Sequence, residues 1–306
     1  MNADRVEQIA NAVLYEGYLL YPYRSSAVKN QLRFNFGVLY PRQHCEQNPG
    51  SDAWEMQTEC LVRGSAATTI EIKTRFLHMV ERNGRQEGIE RAVSTPACGL
   101  SSLEAQSLWQ RIVFPGVAAD DYRADPLDGE LELSASKIED GLFRVTLRTR
   151  NKARFDEVPG REEVLLRSLV SVHSILQVTC GNFISLLDPP QELREAAEGC
   201  KNIGCWPVLV GEEGQTDMML ASPIILYDYP QIAPESSGDL FDGCEIDEIL
   251  ALRILTLTDE EKQEVRGGDE RARRILERTE MLPPEHFQKL HGAMRVLRGP
   301  SPEEVQ

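Results

Sequence analysis

The chain has 306 residues, a formal net charge of -16 at pH 7, 41% hydrophobic residues and 27% charged residues. These proportions are typical of a soluble globular protein with a sizeable core, so disorder is expected only at the ends. The strong negative charge would repel phosphate backbones and anionic lipid surfaces, which argues against nucleic acid or a membrane as the partner.

Cysteine usage and the first residues indicate a cytoplasmic protein. Seven cysteines, an odd number, are scattered along the chain, unlike the dense paired frameworks of small secreted domains. The opening Met-Asn-Ala-Asp-Arg-Val-Glu-Gln lacks the basic start and apolar core of a secretory signal. The most apolar stretch, residues 164–187, is interrupted by Arg167, His173, Gln177 and Asn182 and is therefore too polar to span a bilayer.

The first predicted elements are a helix and a series of strands. Residues 3–14 carry apolar side chains at helical spacing, which predicts an amphipathic helix. Alternating apolar and polar residues then predict strands at 34–40, 54–62, 69–80, 89–94, 130–136 and 142–149. The dipeptides Asn83-Gly84, Asp128-Gly129 and Asp140-Gly141 are expected to form turns between strands.

A helical segment is predicted inside this body, over residues 161–198. Glu162 and Glu163 would lie in the first turn of a helix, where acidic side chains complement the helix dipole. The mainly apolar residues spaced between Leu165 and Gln177 fit one helix face. A second, polar helix is expected from Gln191 to Glu198. Strand character returns at 206–210 and 218–227, which would form a hairpin that completes the sheet.

The chain beyond residue 235 is acidic and is predicted to be helical. Asp242-x-x-Glu245 and Thr258-x-x-Glu261 both fit capping boxes, which mark helix starts. We therefore predict an α+β fold with two regions. Residues 1–235 form a mainly antiparallel, β-sandwich-like body with an embedded helical segment, and residues 236–306 form an acidic helical C-terminal tail.

An aromatic and basic stretch is the most unusual feature of this acidic chain. Four of the eight tyrosines lie between Tyr15 and Tyr23, and no acid occurs from Gly17 to Cys45. Tyrosine and arginine are enriched where proteins meet partners. The residues predicted to bind a partner are Tyr18, Tyr21, Tyr23, Arg24, Lys29, Asn30 and Arg33. The alternative is that the first tyrosines pack in the core and the basic residues are merely solvated.

A second candidate surface is acidic. The densest group of carboxylates comprises Asp239, Asp242, Glu245, Asp247 and Glu248. Their order does not match a calcium-binding loop, which needs oxygen ligands at alternate positions around a turn glycine. We interpret the group as a docking face for basic residues of a partner. A further hypothesis is that this region meets the aromatic-basic stretch of a second copy, which would make a homodimer.

The sequence contains no established catalytic or cofactor motif. It has no Gly-x-Ser-x-Gly elbow, phosphate-binding glycine loop, dinucleotide fingerprint or His-Glu-x-x-His. The candidates for a metal site are His173, Cys180, Cys200 and Cys205. Their spacing is poor for structural zinc, so buried thiols and a core histidine are the simpler interpretation. No cofactor is expected, and an enzyme or metal-handling protein that uses these four residues is the alternative to a binding protein.

Two stretches resemble a known group of proteins. They are Tyr15-Glu-Gly-Tyr-Leu-Leu-Tyr-Pro-Tyr-Arg24 with Ser26-Ala-Val-Lys-Asn30, and Ser222-Pro-Ile-Ile-Leu-Tyr-Asp-Tyr-Pro-Gln-Ile-Ala-Pro-Glu235 running into Gly238-Asp-Leu-Phe-Asp242. The group consists of bacterial proteins of unassigned activity that are associated with nickel-iron hydrogenase gene clusters. The resemblance implies a cytoplasmic accessory or assembly protein whose partners are hydrogenase subunits or maturation factors, and it carries over no catalytic residue.

Overall fold

The computed structural model describes residues 2–15, 36–50, 52–157 and 159–231, together with separate positions between 262 and 281. The chain divides into two compact units, Met1–Tyr18 with Arg33–Gln231 and Leu19–Leu32 with Ile232–Gln306. Within the described residues, no helix is both long and apolar enough to cross a membrane.

The described helices and strands lie almost entirely in the first unit. The helices are α1 (Asn2–Tyr15), α2 (Arg42–Gln47), α3 (Leu100–Ala105), α4 (Arg161–Leu165) and α5 (Arg194–Glu198), with a 3-10 turn at Gln191–Leu193. The strands are β1 (Glu55–Arg82), β2 (Arg85–Ser94), β3 (Cys98–Gly99), β4 (Leu108–Phe114), β5 (Val117–Ala119), β6 (Tyr122–Ala124), β7 (Leu127–Glu139), β8 (Leu142–Asn151), β9 (Val170–Ile184), β10 (Trp206–Leu209) and β11 (Met218–Ser222).

These strands form one antiparallel sheet around the long strand β1. The order along the sheet is β10-β11-β9-β1-β8-β7-β4, and β2 pairs with the second half of β1. The first third of β1, Glu55–Arg63, pairs with β8, and its middle part, between Leu61 and Leu77, pairs with β9. The prediction of a mainly antiparallel α+β fold is therefore confirmed.

The inner face of the sheet encloses a single core. Buried side chains from β1, β4, β7, β8, β9, β10 and β11 all belong to one hydrophobic cluster. The Phe76 ring of β1 meets the Phe114 ring of β4 edge to face at 6.0 Å, although β8 and β7 separate the two strands in the sheet order. The far half of β1 thus faces β4 across the core, and the single sheet acts like the two layers of a sandwich.

The N-terminal helix packs on the outer face of the sheet, as its amphipathic pattern predicts. Val6, Ile9 and Ala10 of α1 join a second hydrophobic cluster with side chains of β9, β10 and β11. Beside that cluster, the buried Arg75 of β1 bonds to α1 through Glu7 and Asn11. An apolar contact and a polar contact therefore hold α1 on the sheet.

The helix predicted over residues 165–177 is wrong. Residues 161–198 contain short helices only at their ends, and β9 occupies most of the interval between them. β9 is buried on both faces from Val170 to Leu176. A strand covered on both sides has a continuous apolar run, which periodicity alone cannot distinguish from a buried helix. The polar helix at 191–198 is confirmed as the 3-10 turn followed by α5.

Two further local predictions also fail. Among the described residues of 34–40, the backbone forms only isolated bridges at Leu39, to Ala53 and Leu169, instead of a strand. Asp128-Gly129 lies inside β7 and does not turn. A Cβ on Gly129 would lie 2.8 Å from the carbonyl oxygen of Arg150, so the glycine there permits close strand approach.

The predicted turns at Asn83-Gly84 and Asp140-Gly141 are confirmed. The predicted hairpin of β10 and β11 is also confirmed, although β11 ends at Ser222 instead of Tyr227.

In the second unit, the described positions from Lys262 to Glu280 are helical. Glu280 bridges Lys262 at 3.2 Å and Arg266 at 2.7 Å.

Candidate functional site

The predicted partner-binding residues lie outside the described part of the chain. This holds for Tyr18, Tyr21, Tyr23, Arg24, Lys29, Asn30 and Arg33, and equally for the acidic residues Asp239, Asp242, Glu245, Asp247 and Glu248. The structure resumes at Phe36, so it describes the last ten residues of the acid-free stretch. Three of those residues join three residues from later in the chain to form the strongest candidate site, which we call the Tyr40 cluster. Its members are Tyr40, Arg42, His44, Asp52, Trp54 and Arg161.

Arg161 links two distant segments at the centre of the Tyr40 cluster. Its NH2 donates to the Tyr40 hydroxyl at 3.0 Å and to Asp52 Oδ1 at 3.3 Å. The guanidinium carbon also lies 5.4 Å from the centroid of the Tyr40 ring, a cation–π distance. The Tyr40 ring is buried, whereas the Arg161 side chain is 64% exposed. An exposed cation therefore rests on a fixed aromatic base.

His44 packs against the same aromatic ring. Its ring centroid is 5.1 Å from that of Tyr40, and its Nε2 lies 3.2 Å from Asp52 Oδ2. Its Nδ1 lies 3.5 Å from Nδ2 of Asn48. Because the carboxylate accepts, we assign the proton to Nε2 and the acceptor role to Nδ1. Both nitrogens are engaged, so His44 is a positioning residue and not a free base.

A second stacked arginine lies next to this group. The Arg42 guanidinium is 4.9 Å from the centroid of the Trp54 ring, and its Nε donates to Glu46 at 2.7 Å. The Arg42 side chain is 62% exposed. The cluster thus presents two guanidinium groups to solvent, and an aromatic ring orients each of them.

Long-range hydrogen bonds hold the cluster on the body of the protein. The Gln43 side chain of α2 exchanges two bonds with the backbone of Phe155, at 3.2 and 2.8 Å. The buried Asn151, at the end of β8, donates to the carbonyls of Leu39 and Arg167, both at 2.8 Å. Arg167 stacks in turn on Phe155 at 4.6 Å. The backbone that carries Tyr40 and Arg42 is therefore fixed to β8 and to the segment before α4.

The electrostatics of the cluster favour recognition over catalysis. Burial raises the pKa of the Tyr40 hydroxyl, although the hydrogen bond from Arg161 opposes that shift. The bond to Tyr40 is the main reason that the pKa of Arg161 is raised. Burial, followed by the nearby Asp52, raises the pKa of the Cys45 thiol. At neutral pH the phenol and thiol keep their protons and the guanidinium stays charged, so the cluster offers cations and no activated nucleophile.

The four proposed metal-site residues are not gathered in one pocket. His173 and Cys180 both lie on β9, and seven residues of strand separate their Cα atoms by about 20 Å. His173 is buried and donates from Nδ1 to the Ser171 carbonyl at 2.9 Å, whereas Cys180 is exposed. In the parts of the chain that the structure describes, no group of three or more His, Cys, Asp or Glu side chains could hold a metal ion.

Cys200 and Cys205 belong instead to the packing of the loop that follows α5. The Cys205 thiol bonds to Thr58 Oγ1 at 3.0 Å and donates to the Gln57 carbonyl at 3.1 Å. Burial raises the pKa of Cys205 to about 11 and also raises the pKa of Cys200. Both thiols are therefore protonated; Cys205 is buried and Cys200 is half-buried.

Sequence reasoning identified only part of the Tyr40 cluster. Tyr40, Arg42 and His44 belong to the acid-free stretch, but nothing in the sequence connects that stretch to Arg161, which is 121 residues from Tyr40. Only the fold, through β8 and α4, reveals this pairing. No protein-family model matches the chain, and no match was found among the curated proteins.

Proposed function

We propose that this protein is a non-catalytic accessory factor that binds a partner protein through an aromatic-basic surface, and that the Tyr40 cluster is such a surface. The observation that carries the proposal is the pair of exposed guanidinium groups stacked on Trp54 and Tyr40. Arginine on an aromatic base loses little side-chain freedom on binding, which is one reason that such residues become hot spots at interfaces.

The chemistry of the cluster suggests an acidic segment or a carboxylate as the bound group. Each guanidinium has five N–H donors in a planar fork that matches a carboxylate. Glu46 accepts a hydrogen bond from Nε of Arg42, and Tyr40 accepts one from NH2 of Arg161. Both arginine side chains are more than 60% exposed. A carboxylate between or above them would thus find charged donors that are already oriented.

The sequence resemblance supplies the biological setting for this proposal. We place the protein in the cytoplasm and propose hydrogenase subunits or maturation factors as its partners. The alternative, an enzyme or metal-handling protein built on His173, Cys180, Cys200 and Cys205, is less well supported because these residues occupy separate places in the fold.

The proposal is tested by affinity co-purification of the tagged protein from the cytoplasm of its own cells. The wild type is compared with the double variant Arg42→Ala/Arg161→Ala, which removes both stacked cations. The matched control is Arg82→Ala, because Arg82 is 53% exposed and stacks at 5.4 Å on Tyr122, outside the cluster. We expect a specific partner with the wild type and the control and its loss with the double variant. Equal recovery with all three would refute the proposal.

A further inference from the structure

The strand β4 ends the sheet with an unpaired backbone edge. β4 is the last strand in the sheet order, and all seven of its residues pair with β7 on one side only. Across the described part of the chain, no backbone hydrogen bond reaches its other side. Backbone groups that no other strand engages are a template for strand addition.

The register of the sheet shows which residues present those free groups. The Lys152 N–H donates to the Asp128 carbonyl at 2.8 Å, so the backbone of Asp128 faces β8 and that of Gly129 faces β4. Gly129 pairs with Ile112, so Ile112 bonds to β7 and the odd-numbered residues of β4 point their backbone outward. The Gln110 side chain donates to the Arg111 carbonyl at 3.2 Å, which agrees with that carbonyl facing away from β7.

The side chains of the same three residues are exposed on the outer face of the sheet. Trp109 is 53% exposed, Val113 is 52% exposed, and the Arg111 side chain is 75% exposed. Natural edge strands are commonly protected by charged side chains, above all lysine, by proline or by a bulge. β4 contains no lysine, proline or bulge, and Arg111 is its one charged residue. An edge with a tryptophan, a valine and a single charge is a surface suited to strand addition.

We infer that β4 pairs with β4 of a second copy of this chain to form a symmetric antiparallel dimer, independent of the Tyr40 cluster. Only the odd-numbered residues of β4 point their N–H and C=O groups outward. Two β4 strands can therefore pair only in registers that set odd-numbered residues of one copy opposite odd-numbered residues of the other. Pairing Gln110 with Gln110 of the second copy sets Trp109 opposite Arg111 twice, and each contact is a cation–π pair. Pairing Arg111 with itself would set like charges face to face. Pairing Ile112 with Ile112 of the second copy would set Trp109 opposite Pro115, which has no N–H to donate.

The charge pattern of the sheet supports the same register. Arg111 lies 3.3 Å from Asp128 of β7, and the Arg150 guanidinium lies 5.9 Å from the Trp109 ring. The tryptophan therefore already stacks on one arginine of its own sheet. In the dimer the Trp109 ring would also contact Arg111 of the second copy. The row of aromatic and cationic side chains would then continue from one copy to the other.

The dimer is tested by sedimentation velocity of the full chain over a concentration series. Arg111→Pro removes the outward N–H that faces Trp109 of the second copy and leaves the bonds to β7, and Trp109→Lys adds a protective charge opposite Glu132 of β7. Leu187→Lys, at a position that is 56% exposed elsewhere, is the control. We expect a dimer for the wild type and the control, and dimerisation at least tenfold weaker for both β4 variants, with unchanged circular dichroism. A monomeric wild type, or a dimer that neither variant weakens, would overturn the inference.

The register is tested by cross-linking in a Cys180→Ser background, which removes the thiol that is exposed among the described cysteines. Gln110→Cys places two thiols at the two-fold axis of the proposed register, within disulfide range. We expect oxidation to give a covalent dimer with Gln110→Cys and not with the background protein. A covalent dimer from Arg111→Cys, with none from Gln110→Cys, would overturn the register.

Discussion

At the scale of single residues, Arg75 connects three elements from a buried position. Its side chain is 2% exposed, and its guanidinium bonds to Glu7 and Asn11 of α1 and to Glu90 of β2. A buried guanidinium is tolerated only when acceptors of this kind surround it. Arg75 therefore couples the docking of α1 to the hairpin of β1 and β2.

We predict that Arg75→Ala lowers the free energy of unfolding by about 3 kcal/mol, because it removes several charge-assisted hydrogen bonds and leaves a gap beneath α1. Urea denaturation followed by circular dichroism measures the change. Arg82→Ala is the control, since the exposed pair of Arg82 with Glu87 should contribute less than about 1 kcal/mol. A similar loss in both variants would contradict the role given to Arg75.

His173 makes the stability depend on pH. Burial lowers the pKa of His173 to about 4, from an ordinary value near 6.5. Between these values the unfolded chain binds a proton that the folded protein does not. The free energy of unfolding is therefore fully maintained above pH 6.5 and falls as the pH decreases towards 4, by up to about 1.4 kcal/mol per pH unit for each such group.

The test is to compare the wild type with His173→Asn, which can still donate to the Ser171 carbonyl but does not titrate. We expect a shallower decrease of the free energy of unfolding for the variant between pH 6.5 and 4. Part of the slope should remain, because burial also lowers the pKa of His78 to about 4. Parallel curves for the two proteins would show that His173 does not titrate as described.

At the scale of secondary structure, the local signals in the sequence predict most elements and fail where burial hides the pattern. The alternation of Phe143, Val145 and Leu147 with polar residues predicts β8, because one face of that strand is wet. β9 lacks such an alternation because α1 covers its outer face and the core covers its inner face. Tertiary contacts therefore decide between strand and helix in this segment, and those contacts cannot be read from the local sequence pattern.

Two predicted strands are one strand in the structure. Residues 54–62 and 69–80 are both parts of β1, which continues through a shift of register between Gly64 and Thr69. The Thr68 hydroxyl fixes this irregularity by donating to the Cys180 carbonyl at 2.6 Å, and a Cβ on Gly64 would lie 2.4 Å from that hydroxyl oxygen. The polar and small residues of the bulge resemble a loop in the sequence, so a break is the natural prediction.

The turn between β1 and β2 gives a prediction for the hairpin. Asn83 and Gly84 have φ angles of +50° and +70°, as a two-residue hairpin turn of the I′ type requires. We predict that Gly84→Ala destabilises the protein by about 1 kcal/mol, because a Cβ disfavours the left-handed region although the space is open. Gly160→Ala is the matched control, with open space but a φ of −61°. Equal thermal midpoints for the two variants would contradict this explanation.

At the scale of the whole molecule, the antiparallel sheet carries the Tyr40 cluster, which we propose as a recognition surface. β8 and α4 bring Arg161 to a tyrosine that the acid-free stretch supplies, and sequence reasoning could name the stretch but not this partner. The net charge of the chain is -16, so exposed and oriented cations stand out from the rest of the protein, and they favour an acidic group as the bound chemistry.

The most direct test is the dissociation constant for the partner recovered by co-purification, measured for the purified wild type and for variants at Arg42 and Arg161. Two stacked cations that a bound partner would cover should together contribute enough for about a thirtyfold loss of affinity when both become alanine. The double lysine variant should lose most of the same affinity, because lysine keeps the charge but not the planar stacked fork. An unchanged dissociation constant in the double alanine variant, with Arg82→Ala also unchanged, would contradict the central claim.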